Sequence, residues 1–278
     1  MKIAVLSGKG GTGKTFVSVN LAVTAGNAAY VDCDVEEPNG RLFLKPGGIK
    51  STSVMASSPL VNIMKCTGCR KCVDFCQFHA MAFVKNRPII FPAICHSCGG
   101  CSIICPEKAI KETQRELGVV ENGMHGSTHV VTGVMNPGEE SGVNLIREAL
   151  RQGFGAAEDV IIDCPPGSAC AVMESVSMSD YCVLVAEPTA FGLHNFRMVY
   201  RLAEIMGKPC CAVINKEGEP YAPLDDFCRE HDIPIALRIP YSDKLASLGA
   251  EAKIASEEDS ECREMFSGLL SYLREALR

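Results

Sequence analysis

The first thirty residues alternate between a short apolar run, a glycine-rich turn and a longer helical segment. The apolar run Lys2–Leu6 predicts a buried strand, residues 7–13 predict a loop, Lys14–Ala25 predicts a helix, and residues 29–31 predict a second strand. A continuous apolar run followed by a glycine turn and a helix is typical of the start of a parallel α/β unit.

The same alternation returns in the second half of the chain. Runs rich in Val, Ile and Cys predict strands at residues 160–163, 181–186 and 210–215, with an edge strand at 235–239. Helices are predicted at residues 138–152, 191–206 and 223–231. Strand–helix alternation of this kind predicts an α/β fold with a doubly wound, mainly parallel sheet.

The alternation is interrupted between about residues 62 and 112, where short cysteine-rich turns replace it. Surface connections of a domain tolerate insertions. We therefore expect residues 1–61 and 113–278 to form one discontinuous domain, and residues 62–112 to form a small inserted α+β domain.

The inserted segment contains two copies of the pattern C-x2-C-x2-C-x3-C, and each cysteine of the second copy lies 29 residues after its counterpart. The first copy is Cys66, Cys69, Cys72 and Cys76, and the second is Cys95, Cys98, Cys101 and Cys105. A repeated unit of this length predicts a pseudo-twofold domain. Sixteen cysteines in a chain without secretion signals favour thiolate metal ligands over disulfides.

This pattern resembles that of bacterial ferredoxins with two 4Fe–4S clusters, in which the fourth cysteine of each run ligates the other cluster. The resemblance implies one cluster on Cys66, Cys69, Cys72 and Cys105, and a second on Cys95, Cys98, Cys101 and Cys76. The first run ends in Cys-Gln instead of Cys-Pro, which leaves the ligands intact. Zinc also binds C-x2-C pairs, but it would leave the third and fourth cysteines of each run awkwardly placed.

A phosphate-binding loop is predicted between the first strand and the first helix. Residues 8–15 read G-K-G-G-T-G-K-T and satisfy G-x-x-x-x-G-K-[ST]. Backbone N–H groups would surround the phosphates at the helix N-terminus, contributed by Gly8, Gly10, Gly11, Thr12 and Gly13. Lys14 is expected to neutralise the β- and γ-phosphate oxygens, and Thr15 to ligate Mg²⁺.

A second lysine, Lys9, follows the first glycine of this loop. The two-lysine form resembles the deviant Walker A loop of the MinD/Mrp/nitrogenase-iron-protein superfamily. In that family the extra lysine reaches across a dimer to the partner's nucleotide. The resemblance therefore implies a P-loop ATPase that closes as a homodimer on ATP, with Lys9 and Lys14 in catalytic roles. A solvated loop lysine remains the simpler interpretation of Lys9.

Three further segments match the family's motifs. Asp34 would position or deprotonate the attacking water, with Asp32 near Mg²⁺, although aspartates after a strand can also merely cap a turn. Asp163 begins D-C-P-P-G and would hold Mg²⁺ through water, and Gly167 would sense the γ-phosphate. Asn215, in N-K-E-G, matches the adenine contact and lacks the carboxylate that reads guanine, so ATP is favoured over GTP.

Composition and charge exclude several classes of protein. The net charge of −6 gives no support to nucleic-acid binding. The first residues do not resemble a signal peptide, and no run reaches the roughly 20 apolar residues that span a bilayer. The C-terminal helix has acidic and basic residues on its polar face, which predicts a core-facing helix without stable membrane anchoring. A cytoplasmic location is expected.

These features favour an ATP-hydrolysing iron–sulphur protein that transfers electrons to a redox partner protein. A metallocluster assembly factor and a redox-sensing positioning ATPase are the alternatives. Cys170 lies where the nitrogenase iron protein has a cluster ligand, but residues 136–141 contain no second cysteine, so a third, dimer-bridging cluster is not expected. Cys170 is interpreted as a switch-region or core residue, and Cys33, Cys164 and Cys182 as packing residues.

Overall fold

The structure is a computed structural model that describes residues 1–139 and 141–278. The strands are β1 (Lys2–Leu6), β2 (Ala28–Asp32), β3 (Gly47–Val61), β4 (Met81–Val84), β5 (Arg87–Ile90), β6 (Ile110–His125), β7 (Thr128–Met135), β8 (Asp159–Asp163), β9 (Tyr181–Ala186), β10 (Cys210–Glu217) and β11 (Ile235–Pro240). The helices are α1 (Lys14–Ala25), α2 (Gly40–Leu44), α3 (Lys71–Phe75), α4 (Gly100–Ile104), α5 (Val143–Ala156), α6 (Cys170–Ser177), α7 (Ala190–Ile205), α8 (Ala222–Glu230), α9 (Asp243–Ala250), α10 (Ala255–Glu258) and α11 (Ser260–Ala276).

One large sheet organises the molecule. Across the described residues it has nine strands in the order β11-β10-β9-β1-β8-β2-β7-β6-β3. All neighbours from β11 to β7 are parallel, whereas β6 and β3 are antiparallel additions at the far edge. The predicted α/β fold with a mainly parallel sheet is confirmed, and β11 is the expected edge strand.

Two parts of the sequence-based assignment were wrong. No strands were predicted for β3, β6 and β7. Many residues of β3 and β6 are polar, and β7 is buried along most of its length, so none of the three shows the alternation that marks a strand. The helix predicted at 138–152 is α5, which begins later, at Val143, and ends later, at Ala156. Residue 140, which belongs both to that predicted helix and to the cysteine-free stretch 136–141, lies outside the described residues.

Alternate side chains of the central strands enter two separate hydrophobic cores. In β1, Ala4 and Leu6 face the core covered by helices α5 to α8, whereas Ile3 and Val5 face the core covered by α1 and α11. This follows from the two-residue period of a strand. Helix α11 buries Cys262, Phe266, Leu269, Leu270 and Leu273, which confirms its predicted core-facing stripe. None of the described helices has the length and apolar character required to cross a bilayer.

Strands β3 and β6 continue beyond the sheet as a two-stranded ribbon. Strand β6 pairs with β7 only from Gly118 onward, but it pairs with β3 from Ile110 onward. The seven pairs from Met55–Glu116 to Val61–Ile110 therefore extend about 20 Å past the sheet, at about 3.3 Å per residue. Because β7 runs parallel to β2, the ribbon leaves at the carboxyl edge of the parallel strands.

The segment at the end of this ribbon contains two copies of the same backbone conformation. Helices α3 and α4 are 29 residues apart, and so are three pairs of residues with left-handed φ angles. The pairs are Gly68 and Ser97 (71° and 55°), Arg70 and Gly99 (66° and 71°), and His79 and Lys108 (52° and 47°). The repeat seen in the cysteine spacing is therefore also a repeat of chain geometry. The division of the chain into domains at residues 62 and 112 stays a prediction.

Candidate functional site

The predicted phosphate loop connects β1 to α1 at the carboxyl edge of the parallel sheet. Gly13, directly before α1, has φ = 94°, and a Cβ atom there would lie 2.0 Å from Asn215 Nδ2. A Cβ on Gly8 would lie 2.3 Å from the carbonyl oxygen of Asn195 on α7. Both positions therefore require glycine, because neighbouring atoms lie too close to leave room for a Cβ atom. Gly13 also has a backbone conformation that L-residues rarely adopt.

A Gly13→Ala substitution should accordingly disturb the loop. We expect a loss of about 1–3 kcal/mol in the free energy of unfolding from the strained φ angle alone, together with weaker nucleotide binding because Asn215 is displaced. Chemical denaturation and titration with a fluorescent ATP analogue would measure the two effects. A Cβ on Gly10 meets no atom within 4 Å, so Gly10→Ala should unfold like the unaltered protein. Equal stability of the two variants would contradict this assignment.

Lys14 and Asp163 form a buried ion pair beneath the loop. Lys14 Nζ lies 2.7 Å from Asp163 Oδ1, and the Tyr30 hydroxyl donates to Asp163 Oδ2 at 2.8 Å. Burial lowers the pKa of Lys14, but the attraction of Asp163, Asp32 and Asp34 outweighs it and raises that pKa above its ordinary value. Lys14 is therefore a permanently charged group. Tyr30 was not identified from the sequence, where it is one aromatic residue in an apolar strand.

Asp32 and Asp34 follow each other at the end of β2, next to Asp163 on β8. Asp32 is fully buried and accepts hydrogen bonds from the backbone N–H groups of Gly40 and Asp34, at 3.0 and 3.2 Å. Burial and the Asp163 carboxylate raise the pKa of Asp32. Asp34 is only partly buried, and burial raises its pKa to about 6 while Lys14 opposes the shift. Of the two, Asp34 is the carboxylate with access to solvent.

Lys9 and Asn215 each contact a residue outside their own segment of the chain. Lys9 Nζ lies 2.9 Å from Glu187 Oε2, on the connection between β9 and α7. Asn215 donates through Nδ2 to the Thr12 carbonyl oxygen at 2.9 Å, and it lines a cavity together with Phe16 and Tyr241. Glu187 and Tyr241 were missed at the sequence level, because neither lies in a recognisable motif.

The remaining predicted residues border the same loop. The backbone N–H of Gly167 donates to the Ser7 carbonyl oxygen at 3.0 Å, and Gly167 has φ = 91°. Gly11 has φ = 78°, and Thr15 lies in the first turn of α1. The structure thus brings every predicted nucleotide-site residue to one edge of the sheet. Thr15 and Asp163 are oxygen-bearing side chains of the kind that Mg²⁺ prefers, and both Asp163 oxygens are bound by Lys14 and Tyr30 in this structure.

The eight cysteines of the inserted segment line two separate cavities. One cavity is lined by Cys66, Cys69, Cys72 and Cys105, and the other by Cys76, Cys95, Cys98 and Cys101. Each cavity thus takes three cysteines from one run and the fourth from the other run. This division is the same as the grouping that the ferredoxin resemblance implies.

The eight cysteines differ in exposure: Cys69 and Cys98 are exposed, Cys72 is buried, and the other five are intermediate. Among the described residues, no group of three or more His, Cys, Asp or Glu side chains surrounds a point where a single metal ion could bind. The Ala109 backbone N–H donates to Cys105 Sγ at 3.3 Å, which is the type of bond that tunes cluster ligands. Burial raises the pKa of Cys101 to about 11, and a bound cation would reverse that shift by stabilising the thiolate.

The other predicted cysteine roles have mixed outcomes. Cys33, Cys164 and Cys182 are fully buried, which confirms that they are packing residues. Cys170 is exposed at the first position of α6, so the core alternative for this residue was wrong. It lies three residues after Gly167, beside the predicted γ-phosphate sensor.

Two proteins of Methanocaldococcus jannaschii are similar to this chain over most of its length. The Methanocaldococcus jannaschii protein MJ0578 is 31% identical over 280 residues, covering 99% of this chain and 97% of its own length. MJ0579 of the same organism is 26% identical over 229 residues, covering 78% of this chain and 81% of its own.

Solved structures share the fold. The septum site-determining protein MinD of Pyrococcus horikoshii, in complex with Mg-ADP, superposes with a TM-score of 0.59 at 19% identity, covering 98% of this chain and 94% of its own. The cell division ATPase MinD of Pyrococcus furiosus gives a TM-score of 0.60 at 18% identity, covering 99% of both chains. The family model described as the CobQ/CobB/MinD/ParA nucleotide binding domain matches residues 3–254. With this match over most of its length, the chain belongs to the CobQ/CobB/MinD/ParA nucleotide-binding domain family.

Proposed function

We propose that the protein is an ATP-binding and ATP-hydrolysing iron–sulphur protein, in which a nucleotide-driven homodimer is coupled to electron transfer to a redox partner protein. The observation that carries the iron–sulphur part is the division of eight cysteines between two cavities by exchange of the fourth cysteine of each run. Two 4Fe–4S clusters, when bound, would supply one-electron carriers. Thiols that must stay reduced suit a cytoplasmic location.

In the nucleotide part, each residue has a separate task. Lys14 and the loop N–H groups bind the β- and γ-phosphates, and Thr15 and Asp163 would hold Mg²⁺, which would stabilise the charge on the phosphate oxygens. Lys14 would exchange Asp163 for the phosphate oxygens, one anionic partner for another, and this exchange would leave an Asp163 oxygen free for the ion. Asp34 accepts the proton of the attacking water. Asn215 contacts the adenine base in the cavity beside Phe16 and Tyr241.

The contacts at the base of the ribbon suggest how the two parts communicate. The loop after β7 is bound to the ribbon, since the Asn136 backbone N–H donates to the Leu117 carbonyl oxygen at 2.9 Å. Arg115 on the ribbon forms an ion pair with Glu139 in that loop, with side chains only 17% and 14% exposed. A displacement of this loop at the nucleotide edge would therefore move the segment that carries the cysteines.

A positioning or regulatory ATPase with redox-sensing clusters is the second candidate. The observation in its favour is the similarity of fold to septum site-determining MinD proteins. In that function the clusters would report redox state without passing electrons to a partner. An assembly factor would instead transfer a cluster to an acceptor protein, and the experiment below distinguishes this function from the other two.

Anaerobically purified protein would test the proposal. We expect iron and sulphide near eight each per chain, ATP hydrolysis, and a change in the oxidation rate of reduced clusters by a one-electron dye when a non-hydrolysable ATP analogue is added. Lys14→Ala is the control that should abolish the nucleotide effect and leave the iron content unchanged. Iron without any nucleotide effect on oxidation would favour the sensing function, and loss of iron to an apo-ferredoxin would favour assembly.

A further inference from the structure

The extra lysine of the phosphate loop is held by a carboxylate of its own chain. Lys9 Nζ lies 2.9 Å from Glu187 Oε2, with the two side chains 28% and 15% exposed. The ammonium group also lies 5.0 Å from the centroid of the Phe191 ring. A carboxylate and an aromatic face together form a favourable site for a cation.

Glu187 binds a second lysine at the same time. Lys216 Nζ lies 2.7 Å from Glu187 Oε1 and donates to the Gly11 carbonyl oxygen at 2.8 Å. Burial opposes the charged form of Glu187, but its hydrogen bonds to Lys216 and Lys9 outweigh burial and lower its pKa. Glu187 is thus an ionised link between the β9–α7 connection and both lysines.

The backbones of Glu187 and Lys9 are both anchored. The Glu187 carbonyl oxygen accepts from the Thr189 N–H at 2.8 Å, and Thr189 caps α7 by accepting from the Gly192 N–H at 2.9 Å. The Lys9 carbonyl oxygen accepts from Ser7 Oγ and Thr12 Oγ1, at 2.9 and 3.2 Å, but the long side chain of Lys9 has several accessible rotamers. The Glu187 carboxylate, in contrast, is also held by Lys216. If the contact breaks, Lys9 is therefore the group that moves.

We propose that Glu187 is a positioning residue that retains Lys9 within its own protomer and thereby opposes closure of the ATP-bound dimer. The proposal rests on the proposed function, in which Lys9 must reach the nucleotide of a second copy. To do so it has to leave Glu187, and this exchange is favourable only when phosphate oxygens are offered in return. The Glu187 carboxylate would thus make closure of the dimer depend on a nucleoside triphosphate bound to the partner protomer.

The expected effect on dimerisation follows from the partial exposure of the Lys9–Glu187 ion pair. A partly exposed ion pair contributes about 0.5–1 kcal/mol, and a symmetric dimer breaks two of them. Removing the carboxylate should therefore strengthen self-association by roughly fivefold to thirtyfold.

Sedimentation velocity of the Glu187→Gln variant with a non-hydrolysable ATP analogue would test this. We expect its dimer dissociation constant to fall by roughly fivefold to thirtyfold, and that of Glu187→Asp, whose carboxylate has a shorter reach, to fall less. Lys216→Met is the matched control: it removes the other arm of the link but leaves Lys9 held, so no gain in association is expected. Adding Lys9→Ala to Glu187→Gln should abolish the gain.

The outcomes separate the two proposals. If the unaltered protein dimerises with the analogue but Glu187→Gln and Glu187→Asp do not dimerise more tightly, Glu187 does not restrain Lys9 and the proposed dimer stands. A gain that survives the addition of Lys9→Ala also overturns the role of Glu187. A third outcome overturns both the proposed dimer and the role of Glu187. In that outcome the unaltered protein stays monomeric with the analogue, and the Asp34→Ala protein stays monomeric with ATP.

Discussion

A protein with serine at both Cys69 and Cys105 should keep one cluster, whereas one with serine at both Cys69 and Cys76 should lose both. The reason is that Cys69 and Cys105 line the same cavity although they belong to different runs, and Cys76 lines the other cavity. A serine hydroxyl is a poor iron ligand, and a cavity without one of its four thiolates should not retain its group. The expected iron content is about four per chain in the first protein and near zero in the second.

The measurement is iron and acid-labile sulphide in anaerobically purified protein, with electron paramagnetic resonance of the dithionite-reduced state. The Cys98→Ser/Cys76→Ser protein is the mirror of the first and should also keep one cluster. Cys170→Ser is the control outside the inserted segment and should keep both. If the same-run pair keeps one cluster and the cross-run pair loses both, the exchange of fourth ligands is wrong.

Replacing Asp34 with Asn should lower the rate of ATP hydrolysis by about 10²–10⁴-fold while ATP still binds. Asp34 is the partly exposed carboxylate beside Lys14 and Asp163, and burial raises its pKa to about 6. A group that accepts a proton must be deprotonated first. Hydrolysis by the unaltered protein should therefore rise with pH through about 6 and then level off.

Steady-state phosphate release between pH 5 and 8, with nucleotide affinity measured separately, would check both parts of this prediction. The exposed Glu36, two residues further on, offers a matched control, and Glu36→Gln should change the rate only slightly. An Asp34→Asn protein that hydrolyses ATP at the unaltered rate would show that Asp34 serves only to end the strand. A rate independent of pH across this range would remove Asp34 as the base.

Local sequence patterns were sufficient to predict the helices and strands that are specified by interactions between residues close together in the chain. The limits of β1 and α1 were predicted correctly, because an apolar run, a glycine turn and a helix-forming segment each have a local cause. The strands β3 and β6 were not predicted, because nearly half of each strand forms the ribbon beyond the sheet and many of their residues are polar. Only a few of their residues enter the main hydrophobic core, among them Val54, Ala56 and Val120, so the apolar alternation is too short to mark a strand.

The same distinction holds within the candidate sites. Lys14, Asp163 and Asn215 were identified from motifs, because phosphate and base contacts require particular residue types at particular positions. Tyr30 and Glu187 could not be identified, since an isolated tyrosine or glutamate has no local signature. Each acquires its contact only because a distant strand ends at the same edge of the sheet.

The sequence alone determined the nucleotide loop, the parallel α/β architecture and the two cysteine runs, since each depends on spacing along the chain. The tertiary structure decided which cysteines share a cavity, which carboxylate holds Lys9, and where the inserted segment lies. The ribbon leaves at the carboxyl edge of the parallel strands, on the side of the phosphate loop. That placement depends on the direction and register of β3, β6 and β7, which are set by pairing between residues far apart in the chain.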